Sequence, residues 1–402
     1  MITKKLTIPL LSISLLGLLL ANNLVDKNNT ANSNNNIDEL LNEINLKQEE
    51  SEHIITIFVH GTILPLPSLK ILRRSFNDKS CTSSFYQKYL NNLRRDTIYN
   101  YQPINDFGLI KIELNGPSPY VSKNKYNYLT AKTYQYFHNE CDTSKNKTFS
   151  FYTFGWNGRL DHKKRVRAAQ DLYNALTKEL ETVKQEKPNS KIKIEILAHS
   201  HGGNVALNLA QSEKKSQQNL CIDKLILLGT PIQSKTKIYV NSPIFKKIYN
   251  IYSTGDAIQT LDIFTKNYTS KRRVNIETPE SKLTQIKIKA ETYKPGHCEL
   301  WLWGKKSSPL YYRKSLPTYP FPIAVFVPLI TNSIDANLPT AKNIDLHINR
   351  ETNFLKFTFH DVDATSNKNP ETERNLIQKN SEKLETLTHI EKLKNQIKQK
   401  IL

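Results

Sequence analysis

The chain has little that would hold a metal or a redox centre. Its four cysteines, Cys81, Cys141, Cys221 and Cys298, form no CxxC pair, which argues against a structural zinc or a thioredoxin-like motif. Asp361 and Asp363 suggest a cation site, but the positions after them lack the glycine and final glutamate of a calcium loop. There is no internal repeat and no nucleic-acid fingerprint. Acidic residues are also scarce: 37 Asp and Glu stand against 57 Lys and Arg, a formal charge of +20. The lysines are scattered among asparagines rather than gathered on one face. The excess therefore reads as compositional bias or as attraction to an anionic membrane surface, with no nucleic-acid partner expected.

What is present begins with "MITKKLTIPLLSISLLGLLLANN": two lysines, an uncharged apolar run from Leu6 to Ala21, then asparagines. This has the n-region and h-region of a signal peptide, and the run falls short of the roughly 20 apolar residues a spanning helix needs. Residues 1–21 are therefore expected to be a signal peptide or N-terminal anchor, and the protein exported or membrane-associated. Residues 22–50 follow as a polar tether with a short amphipathic helix carrying Ile37, Leu40, Leu41 and Ile44. In an exported chain three cysteine pairings are open. Cys81 with Cys141 is favoured because both lie in one insertion, and four unpaired thiols are the alternative.

The body, residues 51–365, alternates strand-like and helix-like segments, the pattern of an α/β fold with a mainly parallel sheet. "HIITIFVHGT", "TFSFYTFGW", "KIKIEILA", "KLILLGTP", "IYNIYSTGD" and "LTQIKIKAE" read as strands ending in polar or glycine-rich turns. "DHKKRVRAAQDLYNALTKELETVKQE" reads as a helix with a stripe of Val166, Ala169, Leu172, Leu176 and Leu180. Residues 64–149 are too long for a simple crossover and are expected to form a tyrosine-rich cap over the site. Residues 366–402 carry Ile377, Leu384, Leu387, Ile390, Ile397 and Ile401 at helical spacing, predicting a C-terminal amphipathic helix that docks or oligomerises.

Between an apolar strand and an apolar helix lies Ala198-His199-Ser200-His201-Gly202. A serine hydroxyl is a weak nucleophile until a base takes its proton, and a sharp strand-to-helix turn holds it in the open for that exchange. Such a turn tolerates little bulk, hence small residues around the serine. With this elbow the chain resembles the α/β-hydrolase superfamily over roughly Ile54 to Leu302, in its lipase and serine-esterase branch of triacylglycerol-lipase-like and phosphoinositol-deacylase-like members. "FVHGT", residues 58–62, resembles the family's oxyanion loop, and "KLILLGTPI", residues 224–232, the strand after the elbow helix.

The resemblance implies a chain order of Ser, then acid, then His, and two backbone N–H donors for the oxyanion. Those donors would be His201 and Thr62. Asp256 follows a strand and is the expected acid, ahead of Asp223 and Asp262. His297 follows the next strand and is the expected base, with His347 and His360, which lie beyond the last convincing sheet strand, as competitors. In the mechanism so implied, His297 takes the Ser200 proton, Asp256 orients the imidazole, and water releases the acyl group, with no cofactor. The expected substrate is a carboxylic ester, of a lipid or another apolar compound. An acyltransferase or amidase on the same fold remains open, as does a hydrolase-fold binding or effector protein without turnover.

Overall fold

The computed structural model describes residues 51–62, 101–114, 125–141, 146–259, 270–279, 281–304, 316–351, 354–365, 386–389 and 395. The expected leader, tether and short helix, together with Cys81 and Asp262, lie outside them. Ten strands form one sheet: β1 (Ser51–Val59), β2 (Gly108–Lys111), β3 (Lys147–Gly155), β4 (Ser190–His199), β5 (Ile222–Leu228), β6 (Phe245–Tyr252), β7 (Leu283–Ala290), β8 (Asn343–Glu351), β9 (Phe354–Asp361) and β10 (Thr386–His389). Their order is β10-β9-β8-β7-β6-β5-β4-β1-β3-β2. From β3 across to β8 every pair is parallel, while β2, β9 and β10 join antiparallel at the edges.

The central strands read as unbroken apolar runs because both their faces are covered. On one face α1 (Lys125–Cys141) and α5 (Val327–Asn337) pack over Phe58, Phe151, Ile286 and Phe357. On the other, α2 (His162–Glu186), α3 (His201–Leu207) and α4 (Leu209–Ser216) pack over Ile57, Ile196, Leu225 and Leu227. Asp161 caps α2 by accepting from the Lys163 N–H at 2.8 Å, which fixes where that helix starts. Its buried stripe includes Ala169, Leu172 and Leu176 as expected, but its first turn buries Arg165 instead of Val166.

Three expectations need correction. The described part of residues 64–149 is not a cap: β2 extends the sheet and α1 is a core helix whose Tyr134 and Phe137 meet Phe58 and Phe326. Within 366–402 the sequence pattern suggests helix, yet Thr386–His389 pairs with β9 as a strand. His347 and His360 lie not beyond the sheet but on β8 and β9, where alternate residues point to opposite faces. Among the described residues no helix is long and apolar enough to cross a membrane.

Beneath α1, Glu195 of β4 is only 5% exposed and accepts hydrogen bonds from Tyr134 Oη at 2.9 Å and His138 Nε2 at 3.1 Å. Burial alone would raise its pKa. The bond and charge of His138, with Lys224 nearby, overcome that and hold it at about 2. Removing one member of such a buried network strands the others, so Glu195→Ala should cost about 3 to 5 kcal/mol in urea unfolding. A loss under about 1 kcal/mol would show that the network contributes little.

Candidate active site

Ser200 sits where β4 turns into α3, with φ 53° and ψ −133°, a region side chains rarely adopt. Its N–H donates to Leu228 O at 2.9 Å, which ties the turn to the end of β5. Glycines let the neighbouring backbone close around it. A Cβ on Gly61 would lie 2.6 Å from Ser200 Cβ, one on Gly202 would lie 2.5 Å from His60 O, and one on Gly203 would lie 2.1 Å from Thr230 Oγ1. The glycines of "HGT" and "HSHGG" are thus two halves of one contact between strand ends. Ser200 is 5% exposed at its centre.

The structure brings Asp256 and His297 together. Asp256 follows β6 and is fully buried. Its Oδ1 accepts from the N–H groups of Ile258 at 3.0 Å and Gln259 at 3.2 Å, and its Oδ2 lies 2.7 Å from His297 Nδ1. Since the carboxyl oxygen accepts, Nδ1 carries the hydrogen and Nε2 is left with its lone pair. Gly229, at the end of β5, has φ +57°, and a Cβ there would lie 2.9 Å from Asp256 Oδ2 and 3.3 Å from His297 Nδ1. The residue just after the carbonyl that anchors Ser200 therefore abuts the acid–imidazole pair. No hydrogen bond joins Ser200 Oγ to the His297 ring, and such contacts commonly tighten only around substrate.

The other candidates fall elsewhere. Asp223 lies at the opposite end of the strands, accepting from Ile194 N–H and pairing with Lys246. His347 and His360 stack edge to face, 5.4 Å apart, on β8 and β9. Among the described residues there is no group of His, Cys, Asp and Glu fit to hold a metal ion, Asp361 and Asp363 included. Cys298, beside the imidazole, is a poor rival nucleophile: burial, then the carboxyls of Asp256 and Glu299, push its thiol up to about 12.

Several supporting residues carry no signal in the sequence. Arg272 donates twice to the Asp256 carbonyl, from Nε at 3.1 Å and Nη2 at 2.8 Å, and so fixes the turn that carries the acid. His199 also belongs to the support. Its Nε2–H donates to His297 O at 3.1 Å, and its ring lies between His297 and Trp301, parallel to the indole. His60 bridges two strand ends: its Nε2 accepts from Trp156 N–H at 3.1 Å, so its Nδ1–H donates to Gly61 O at 2.7 Å. A peptide unit is planar and trans, so a Gly61 carbonyl held by the ring turns the Thr62 N–H to the opposite side. Neither that N–H nor the His201 N–H, in the first turn of α3, donates to any described residue.

A strained serine at a strand-to-helix turn, on a mainly parallel sheet with an acid and an imidazole at the ends of later strands, defines an α/β-hydrolase fold. No family model matches the chain, and no curated protein matches it. Among solved structures it is similar to one described as "putative cell surface hydrolase from Lactobacillus plantarum WCFS1", with 14% identity and a TM-score of 0.22 over 75% of this chain and 83% of that one. A likeness that slight leaves the assignment of the site to the chain's own geometry.

Three imidazoles around the site, and a fourth at the far end of β1, avoid the proton. Burial holds His60 at about 4 and His199 well below 6.5, with His297 adding to the effect on His199. Burial, then Arg165, does the same to His201, and burial with Lys187 takes His53, farther down β1, to about 4. The unfolded chain protonates these rings near 6.5 and the folded chain resists doing so, so stability should fall as pH drops from about 6.5, with the His60 and His53 contributions spent near 4. His60 alone accounts for on the order of 3 kcal/mol. Urea midpoints at pH 7, 6 and 5 should decline steadily, and a constant midpoint would contradict the buried neutral state.

Proposed function

We propose that this chain is a serine hydrolase of carboxylic esters, working through an acyl-enzyme on Ser200. The observation that carries the reading is the Asp256–His297 pair at 2.7 Å, held by Gly229 beside the strained Ser200 turn. His297 Nε2 takes the hydroxyl proton as Ser200 Oγ attacks the ester carbonyl carbon. Asp256 holds the ring and balances the imidazolium. The oxyanion is received by the N–H groups of His201 and Thr62, which have no other described acceptor. The imidazolium returns its proton to the departing alcohol. Water, deprotonated by the same ring, then releases the acid and regenerates Ser200. The chain itself supplies every group these steps use.

The substrate we favour is a lipid or another apolar ester, met at an anionic membrane surface. The +20 charge and the leader-like residues 1–21 support that setting, with the protein exported or anchored at its N-terminus.

A fluorophosphonate probe should label the folded protein, and Ser200→Ala should abolish labelling. His297→Ala should lower kcat/KM about a thousandfold or more, whereas His201→Ala should keep most activity because its backbone N–H survives. Equal collapse of both variants, with folding intact, would return the base to the serine motif. A folded protein that takes no label and cleaves no ester of any chain length, with or without anionic vesicles, would instead be a binding protein on a hydrolase scaffold.

A further inference from the structure

The helices α2, α3 and α4 that cover one face of the sheet stop short of β7 and β8. Beyond β6 the strands change character. Ile286 and Ile288 of β7, and Ile344, Leu346 and Ile348 of β8, still point into the core beneath α5. Their alternates, Gln285, Lys287 and Lys289 with Asn343, Asp345 and His347, form the floor of an open groove. Two depressions lie end to end along these strands. One of about 750 Å³ is walled by Lys271, Arg273 and Lys342, and one of about 330 Å³ by Lys294 and Thr254. From Leu283 to Lys289 the floor runs about 20 Å.

Six cations line the groove, Lys271, Arg273, Lys287, Lys289, Lys294 and Lys342, against two carboxylates, Glu277 and Asp345. Asp345 is already paired with Lys287 at 2.5 Å. Lys271, Lys289, Lys294 and Lys342 have no carboxylate partner among the described residues. Arg273 reaches only the Asn343 side-chain oxygen, at 2.5 Å. His347 senses the same surplus: burial, then His360 and Lys289, lower its pKa against the pull of Asp345.

We propose that this groove binds a linear phosphate polymer. Its positive charges are spread over a length no single small anion spans, and exposed lysines act as point charges that suit phosphate. Among the described residues that line it there is no Phe, Tyr or Trp, whereas single-stranded nucleic acid uses aromatic stacking platforms. A concave floor on a sheet face also does not match a flat bilayer. The site is separate from Ser200 and does not depend on its chemistry. It nevertheless touches the catalytic loops from behind: Thr254 precedes Asp256, Lys294 precedes His297, and Arg273 adjoins the Arg272 that clamps Asp256.

The test is fluorescence anisotropy of labelled medium-chain sodium polyphosphate with the full-length protein between 50 and 200 mM salt, roughly the range over which phosphate contacts are lost. The triple variant Lys271→Gln, Lys289→Gln, Lys294→Gln should weaken binding at least tenfold and lower the slope of log K against log salt by about 3. The triple Lys178→Gln, Lys184→Gln, Lys214→Gln, with the same change in net charge on α2 and α4, should bind within about twofold of the parent. Thermal melts check that each folds. Should the first triple not fold, Lys294→Glu in its loop replaces it, with weaker binding and a slope lowered by about 1 expected. Equal weakening by both triples would reduce the effect to net charge and overturn the proposal. So would tighter binding of oligothymidylate or phosphatidylglycerol vesicles than of polyphosphate.

Discussion

The site depends on a single steric constraint: the ends of β1, β4 and β5 approach so closely around Ser200 that only hydrogen fits where side chains would stand. Gly61 meets Ser200, Gly202 meets the His60 carbonyl and Gly203 meets Thr230. A serine in this backbone conformation costs on the order of 1 to 3 kcal/mol. It persists because parallel pairing with β1 and β5 fixes β4 on both sides. Ile196, Leu197 and Ala198, just before the turn, are fully buried between two helical layers. The sheet is therefore the device that holds one unfavourable backbone angle, and the chemistry is attached to it.

Around that turn the supporting bonds run in series. Arg272 grips the Asp256 carbonyl, backbone N–H groups grip one Asp256 oxygen, the other oxygen holds His297, and His199 holds the His297 carbonyl from below. On the far side Trp156 holds His60 and His60 holds the Gly61 carbonyl, which orients the Thr62 amide. Both arms are built from buried or half-buried groups whose partners are fixed, the condition under which hydrogen bonds position atoms well.

How much of this the sequence displays follows from how each element buries itself. β1, β3, β4, β5 and β6 carry apolar runs, β7 alternates, and all end in turn residues, so they are legible. The elbow, Asp256 and His297 are legible with them because they occupy strand ends. β8 alternates Ile344, Leu346 and Ile348 with Asp345 and His347, so it lacks the continuous apolar run that marks the central strands. α1 hides because its buried side includes Asn127, Thr130, Thr133 and His138, so its periodicity is blurred by polar residues. The bonds that join Arg272 to Asp256, His199 to His297 and Trp156 to His60 span from 16 to 98 positions, and no local pattern announces them.

The neutrality of the buried histidines bears on the charge the site can carry. In the mechanism we propose, His297 accepts a proton and becomes an imidazolium whose ring centre lies 4.5 Å from that of His199 and in the field of His201. Were either neighbour already protonated, the new cation would form against like charge in a dry environment, and the step would be opposed. Burial disfavours the charged form of both neighbours, and the carboxylate of Asp256 stands against His297, the ring to which the proposed mechanism assigns the proton.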